Sequence, residues 1–374
     1  MNKRTSPGRS RQTLLILSVI AAFTAGACSR QTTPEEITEI SPRQAWAVPA
    51  ITKTSKHTEF QLRGNPITVN ANEPMFRASV KADIRRFFVE ENFAEIERLA
   101  GIYRDGVRTG SGLFKLGVLY DAFSSTQFVS VQGTLPKAEE KFDAWIKAYP
   151  NSPTPYVAKS NAYFWILIGI NASGSGAPNE RAMYEKMLQL GQEFLSQHWD
   201  LVKNEPDAYR QKMRYALLTG SSPAKWRAVL NEARSEFPGY YQIYFDANLY
   251  APETRGAPQK AFALTEEIAA ALMEDTPDEG MAGYARAYWG ASRRGDISYY
   301  MSHETVDWKK MRLGFQDILD AYPDAWNLNA FARFSCIFED EEMVQKLQFA
   351  VIENPVNQIW SKAEREQCFA FAAS

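Results

Sequence analysis

The chain has 374 residues, 45% of them hydrophobic, with 42 Lys and Arg against 44 Asp and Glu and a formal net charge of −2. A chain of this length buries a large core, as one elongated body or two compact ones. Four of the cations (Lys3, Arg4, Arg9, Arg11) fall before the first apolar stretch, so the remainder is more acidic still, and without a basic block it has no electrostatic footprint for nucleic acid. After the N-terminal segment, no run of about eighteen apolar residues occurs, and the longest candidate, Ala162 to Ile170, reads as a buried helix.

Behind the four cations comes an uncharged stretch, Gln12 to Phe23, and then Thr24-Ala25-Gly26-Ala27-Cys28. Its apolar core is too short to cross about 30 Å of bilayer as a helix and ends in small residues, the pattern of a bacterial signal peptide over 1–27. Ala25-Gly26-Ala27-Cys28 resembles the lipobox of bacterial lipoproteins, with Ala25 where Leu is usual. The resemblance implies cleavage before Cys28, lipidation of its thiol and membrane attachment through that lipid alone. Ser29 in the next position implies the periplasmic face of the outer membrane, by analogy with enteric sorting. Ordinary secretion with an unmodified Cys28 is the alternative.

Residues 28–74 are rich in Ser, Thr and Pro and read as a flexible tether. Within it, Phe60 to Val69 has turn chemistry between two short β-prone runs, a small hairpin or docked extended arm. From about 75 to 374 the period becomes helical: Phe76, Val80, Ile84 and Phe88, then Phe93, Ile96, Leu99 and Tyr103 after a break at Glu91-Asn92. Further helices are predicted over 111–125, 135–149, 153–170, 178–199, 206–219, 222–236, 240–250, 258–274, 278–292, 305–321, 325–337 and 339–350. The fold class is therefore all-α.

One pattern returns three times: Ala138-x3-Phe142-x2-Trp145-x4-Pro150, Trp226-x3-Leu230-x2-Ala233-x4-Pro238 and Met311-x3-Phe315-x2-Ile318-x4-Pro323. Spacings of i, i+4 and i+7 share one helix face, and the proline, lacking an N–H, stops each helix. The spacing, 88 and then 85 residues, implies four-helix periods or irregular pairs. The pattern resembles the second helix of a tetratricopeptide repeat, which implies antiparallel helix hairpins stacked as a degenerate superhelix. Asp307-Trp308-x2-Met311-x2-Gly314-Phe315, with Tyr322-Pro323-x2-Trp326-Asn327 and Cys336, resembles an uncharacterised bacterial family of helical proteins, a domain of unknown function. That resemblance implies a helical-repeat fold and no catalytic residues.

Catalytic signatures are sparse. The three histidines (His57, His198, His303) stand at no ligand spacing to one another or to a cysteine, so no metal site or serine triad is expected. His303-Glu304 before Asp307 reads as the approach to a capped helix. Ser222-x2-Lys225 matches a serine-lysine spacing but reads as a helix start, with Ser222 as N-cap and Pro223 next. No phosphate-cradling loop is present, and no cofactor is expected.

Cys336 and Cys368 fall in C-terminal helices of a chain expected to be exported, where disulfides persist. A bridge would close a loop of about 33 residues; two buried thiols, packed beside Phe334 and Phe369, are the other reading. Aromatic residues make up 13% of the chain and cluster at Tyr163-Phe164-Trp165, Tyr240-Tyr241, Tyr288-Trp289 and Tyr299-Tyr300. Most belong to the core, but a superhelix has a concave surface on which Trp, Tyr and Arg anchor peptides. Arg286, Trp289, Trp308, Trp326 and Asn327 are the candidate partner-binding residues. The sequence thus points to a non-enzymatic envelope lipoprotein that binds a protein or peptide. A glycan or small-ligand receptor with an aromatic groove and a carboxylate-based enzyme acting on envelope polymers are the alternatives.

Overall fold

In a computed structural model the structure describes residues 58–70, 73–124, 135–173, 177–254, 256–294, 298 and 301–372. The expected signal peptide, Cys28 and the Tyr299-Tyr300 pair lie outside them. Among the described residues the architecture is sixteen α-helices and one two-stranded hairpin. The helices are α1 (Glu73–Val89), α2 (Phe93–Arg104), α3 (Lys115–Tyr120), α4 (Leu135–Ala148), α5 (Pro153–Ser173), α6 (Pro178–Gln197), α7 (Trp199–Val202) and α8 (Pro206–Leu218). They continue with α9 (Pro223–Glu236), α10 (Tyr241–Tyr250), α11 (Pro258–Asp275), α12 (Ala282–Ala291), α13 (Trp308–Ala321), α14 (Ala325–Ile337), α15 (Glu341–Glu353) and α16 (Lys362–Phe371).

Two kinds of helix alternate. On α9 only Trp226, Leu230 and Ala233 are buried, a single face, and α4 likewise buries only Ala138, Phe142 and Trp145. By contrast nine of the ten residues of α12 and eight of the ten of α10 are buried. A helix buried on all sides belongs to an inner row and a one-faced helix to the outside. Packing follows that division: α5 meets α8, α8 meets α10 and α10 meets α12, while α9 and α11 cover the outside. Helix hairpins thus stack into an all-α superhelical arrangement.

The three repeated patterns fall on α4, α9 and α13, and all nine of their apolar residues are buried. Each helix stops before its proline, at Ala148, Glu236 and Ala321. From α9 to α13 the chain passes through α10, α11 and α12, a period of four helices, whereas from α4 to α9 it passes through α5, α6, the short α7 and α8, so the period is irregular. Close approach is built in at Gly314, where an added Cβ would lie 2.2 Å from the Met281 carbonyl oxygen at the start of α12. The apolar interior forms two clusters that meet at α8, with Tyr209 and Met213 in one and Ala208 and Tyr215 in the other.

Strands β1 (Thr58–Leu62) and β2 (Asn65–Val69) pair antiparallel, with Phe60 opposite Ile67. The turn residues Arg63 and Gly64 both have positive φ, 52° and 81°, as a two-residue type I′ turn requires. Arginine adopts that conformation at a cost, and here its guanidinium holds α13, reaching Gln316 at 2.8 Å and Asp317 at 2.7 Å. Leu62, Ile67 and Val69 are buried in the C-terminal cluster. The stretch expected as tether thus ends in the docked hairpin expected at Phe60–Val69, and the folded body includes residues 58–70, because the alternate hydrophobics of the hairpin find an apolar wall to cover.

Other boundaries shift for local reasons. The helix expected over 111–125 is only α3 and a following 3₁₀ turn, because Gly112 at φ 90° holds residues 109–114 in a tight loop. The helix expected over 278–292 begins at Ala282, after a 3₁₀ turn at Pro277–Glu279. Helix α16, outside the predicted helix ranges, starts with a capping box in which Ser361 and Glu364 satisfy each other's backbone N–H groups. Cys336 on α14 and Cys368 on α16 are disulfide-bonded with their Cα atoms 5.8 Å apart, so the pair is a bridge and not two thiols.

Candidate functional site on the inner face

The inner helices carry polar and charged residues at helical spacing on their buried faces. On α8, Arg210 donates to Asp207 and, through Nε, to Asp246 of α10 at 3.0 Å. Arg214, one turn on, pairs with the same Asp246 at 2.9 Å. Asp207 also accepts from the Tyr240 hydroxyl at 2.7 Å, and Glu205 accepts from Arg104 and, at 3.0 Å, from Tyr120. Burial pushes the carboxyls of Glu205 and Asp207 above the usual carboxylate range. Both are sealed, at 1% and 0% exposure, so neither offers a face to a substrate. Charged groups buried this way need partners on every side, and removing one partner strands the other.

Arg286 on α12 is 1% exposed, lies 4.3 Å over the Tyr241 ring and donates from Nη2 to the Ser111 carbonyl at 3.2 Å. Asn327 on α14 is fully buried and donates from Nδ2 to the same carbonyl at 3.2 Å and to that of Tyr322 at 2.9 Å. The structure thus brings these two candidates together, but on the chain's own 109–114 loop. Gln242 of α10 joins them, donating to the Phe114 carbonyl at 2.9 Å. Three successive inner helices therefore grip one internal loop through its backbone oxygens.

The tryptophans divide. Trp308 donates Nε1–H to Asp340 at 2.9 Å and stacks on Phe338 at 4.9 Å, so its N–H and one face are used inside the fold. Trp289 is half-buried against Phe315, 5.9 Å between centroids. Trp326 is half-buried next to Asn327, with the Arg77 guanidinium of α1 4.2 Å over its ring. Arg77 in turn contacts Ser111 Oγ at 3.3 Å. Arg286, Asn327 and Trp326 thus gather around Ser111, whereas Trp289 and Trp308 stand on other contacts.

Sequence reasoning missed two residues on the same inner wall. Tyr250 ends α10, and Arg293 lies just beyond the end of α12. The Tyr250 ring sits 5.5 Å from the Arg214 guanidinium and edge-on to Phe164 at 5.8 Å. Burial pushes its hydroxyl up to about 12, with Arg214, Asp246, Arg210 and Arg293 as its charged neighbours. Burial, followed by the nearby Arg77, pulls the guanidinium of Arg293 below its ordinary value. Their signal was helical spacing: Tyr250 stands four residues after Asp246 and Arg293 seven after Arg286, each on the face of an inner residue.

On the outer side, a cleft of about 590 Å³ opens between α11, α12 and the start of α13, lined by Glu266, Tyr284, Tyr288, His303, Asp307 and Lys310 among others. Tyr288 donates to Glu266 at 2.6 Å, and Tyr284 accepts the Asp307 N–H at 3.1 Å. Asp307 caps α13 by accepting from the Lys310 N–H at 3.2 Å, and His303 Nε2 donates to the Phe338 carbonyl at 3.1 Å. The approach to α13 is thus a capped helix start, with Asp307 as the cap. Ser222 likewise accepts the Lys225 backbone N–H as an N-cap.

Among the described residues no group of three or more His, Cys, Asp or Glu is placed to hold a metal ion, and no helix is long and apolar enough to cross a membrane. No family model, no curated protein and no solved structure matches the chain.

Proposed function

We propose that this chain is a lipid-anchored envelope protein without catalytic activity, whose superhelix holds a protein or peptide partner against its inner face. The observation that carries the reading is an inner wall of aromatic and guanidinium groups, the half-buried Trp326 beneath the half-buried Arg77 and the half-buried Tyr250 beside the buried Arg214. Such groups make large, well-oriented contacts at low entropic cost, which is why they dominate binding surfaces. The Cys336–Cys368 bridge supports an oxidising compartment, in keeping with the signal-like N-terminus and the lipobox resemblance at Cys28. A stretch of roughly 30 residues between Cys28 and the hairpin would let the body stand about 30 Å off the outer membrane on its periplasmic side.

Against an enzyme stands the sealing of Glu205 and Asp207 behind their arginine and tyrosine partners. The receptor reading finds its support in the Glu266–Tyr284–Tyr288 cleft, though the tryptophan there, Trp308, is turned into the fold.

The test is crosslinking in intact envelopes with the full chain, with Cys28→Ser as the anchoring control. One defined envelope protein captured by the parent and lost from Trp326→Ala, with the variant's circular dichroism unchanged, is the expected result. Capture of nothing by a folded, membrane-bound parent would sink the partner-binding reading. Release of the parent from membranes to the same extent as Cys28→Ser would sink the anchor.

A further inference from the structure

The inner helices present side-chain donors to one stretch of the chain. Asn327 of α14 and Arg286 of α12 donate to the Ser111 carbonyl, each at 3.2 Å, and Gln242 of α10 donates to the Phe114 carbonyl at 2.9 Å. Asn161 of α5 donates to the Tyr120 carbonyl at 2.7 Å. Residues 111–120 therefore cross the inner row from α14 to α5, held at backbone oxygens. The concave face of a helical solenoid is its binding surface, and here its occupant is the chain itself.

The fit is specific at two points. At Gly112, with φ 90°, an added Cβ would lie 2.6 Å from Arg286 Nη2 and 2.8 Å from the Tyr322 ring, so only glycine passes there. Two residues on, the Phe114 ring stacks on Tyr240 with centroids 4.4 Å apart and meets Tyr241 edge-on at 6.0 Å. Yet the loop is a light occupant. Leu113 and Phe114 are half-buried and Gly110 is exposed, whereas Leu116 to Tyr120 of α3 are all buried. The loop is also closed on itself, Arg108 donating to the Gly112 carbonyl at 3.0 Å and covering the Phe114 ring at 3.4 Å. Ser111 ties it to α1, its N–H donating to Glu73 at 3.0 Å and its hydroxyl accepting from Arg77 at 3.3 Å.

The loop leaves part of the groove unused. Arg286 Nε, Asn327 Oδ1 and Gln242 Oε1 have no hydrogen-bond partner among the described residues, although the three residues are 1%, 0% and 4% exposed. A buried polar atom left unpaired costs free energy, and a peptide main chain carries both the carbonyl and the N–H groups that these three atoms lack.

We infer that residues 107–114 are a built-in occupant of the inner groove, and that the partner displaces them with an extended segment carrying a glycine and, two residues later, an aromatic ring. The inference rests on the partner-binding reading and names what the partner must present. Its main chain would meet Gln242, Arg286 and Asn327, its glycine would pass Arg286 and Tyr322, and its ring would lie on Tyr240. While the loop is in place the groove is closed, so the apparent affinity is scaled by the fraction of molecules in which the loop is out.

The experiment is a fluorescence-anisotropy titration of the full chain with a labelled peptide copying residues 107–115, with copies carrying the Gly112→Val or Phe114→Ala change as the other arms. In the protein, Phe114→Ala removes the loop's own ring from Tyr240, so that variant should bind the unaltered peptide at least about tenfold tighter than the parent chain does. Adding Gln242→Ala should weaken that binding by about threefold, and both altered peptides should bind at least about tenfold more weakly than the unaltered one. Equal affinity of the parent chain and a folded Phe114→Ala for the peptide, or equal affinity for the three peptides, would overturn the inference. Where Phe114→Ala does not fold, hydrogen exchange in the parent decides: the Ser111 amide, whose acceptor lies outside the loop, should exchange at least about tenfold faster than amides in the middle of α12. Protection of Ser111 equal to that of α12 would overturn the inference as well. If crosslinking captures a defined partner that Phe114→Ala takes up no better than the parent, the built-in occupant fails while partner binding stands. If it captures none, the partner reading fails and this inference with it.

Discussion

The Asp324 carboxylate accepts the backbone N–H of Glu73 at 3.3 Å across 251 residues of sequence, joining the start of the first helix to the start of α14. Its other oxygen caps α14 by accepting the Trp326 N–H at 2.8 Å, and the adjoining backbones of Asn70 and Ala325 are bonded at 2.7 Å. Both acids are fully buried, and Glu73 is neutralised by Arg77 at 2.6 Å. The N-terminal layer is therefore fastened to the C-terminal end of the inner row. Asp324→Ala removes a helix cap and leaves a buried donor unpaired, so it should cost roughly 2–4 kcal/mol in urea unfolding. A loss no larger than that of a surface change such as Asp200→Ala would show that the two ends are not energetically joined.

The disulfide ties α14 to α16 between cysteines 32 positions apart, and α16 is otherwise held by the buried Arg365, by Phe369 against Trp360 and by Gln345, which donates to the Ala372 carbonyl. On the chain-entropy model such a loop contributes about 3–4 kcal/mol. Reduction of the native protein, or the Cys336→Ala/Cys368→Ala pair, should lower the urea midpoint accordingly. Hydrogen exchange should show α16 opening first, ahead of α13. Unchanged exchange in α16 after reduction would mean that the capping box and packing suffice alone.

The outer helices were legible because their information is periodic. Ala138, Phe142 and Trp145, or Met311, Phe315 and Ile318, declare a single buried face and a proline stop. The inner helices were legible as helices, but their roles were not. Arg286 and Asn327 have the composition of a binding surface, and only the three-dimensional course of residues 109–114 shows that their hydrogen bonds are spent on Ser111. Tyr250 and Arg293 went unnoticed for the converse reason: their spacing from Asp246 and Arg286 is no different from that of a core residue, and the charged neighbours of Arg293, Arg77 and Asp121, come from the opposite end of the sequence. Non-local polar networks leave no period to read.

Two glycines offer a paired test of helix packing. Gly314 sits where α13 crosses the start of α12, and a Cβ there would lie 2.2 Å from a backbone oxygen that cannot swing aside. Gly101, inside α2, has nothing within 4 Å of the same position. Gly314→Ala should therefore destabilise by about 1–3 kcal/mol through forced separation of the helices. Gly101→Ala should instead stabilise by roughly 0.5–1 kcal/mol, by restricting the unfolded chain and raising helix propensity. Thermal melts of the two variants decide it, and shifts of the same sign in both would contradict the close α12–α13 crossing.

The capping box of α16 makes a pH-dependent contribution whose sign follows from the Glu364 carboxylate. Accepting the Ser361 backbone N–H, at 2.6 Å, holds that carboxylate below its ordinary value, with the Ser361 hydroxyl and nearby Arg333 and Arg365 acting in the same direction. A group whose pKa is depressed by folding stabilises the fold above its unfolded value and loses that stabilisation as pH falls through the folded one. Glu364→Gln keeps the capping geometry but removes the charge, so its deficit relative to the parent should be present at neutral pH. The deficit should vanish as pH drops below the ordinary glutamate range. Because Glu364 is largely solvated the charge contribution is small, a fraction of the roughly 1 kcal/mol that a complete N-cap provides. Ser361→Ala should show the full cap loss at neutral pH and retain part of it in acid, where the hydroxyl would still accept the Glu364 N–H at 3.2 Å in the parent. Urea unfolding of the three proteins across acidic to neutral pH checks this, and a Glu364→Gln deficit that grows in acid would reverse the assigned sign.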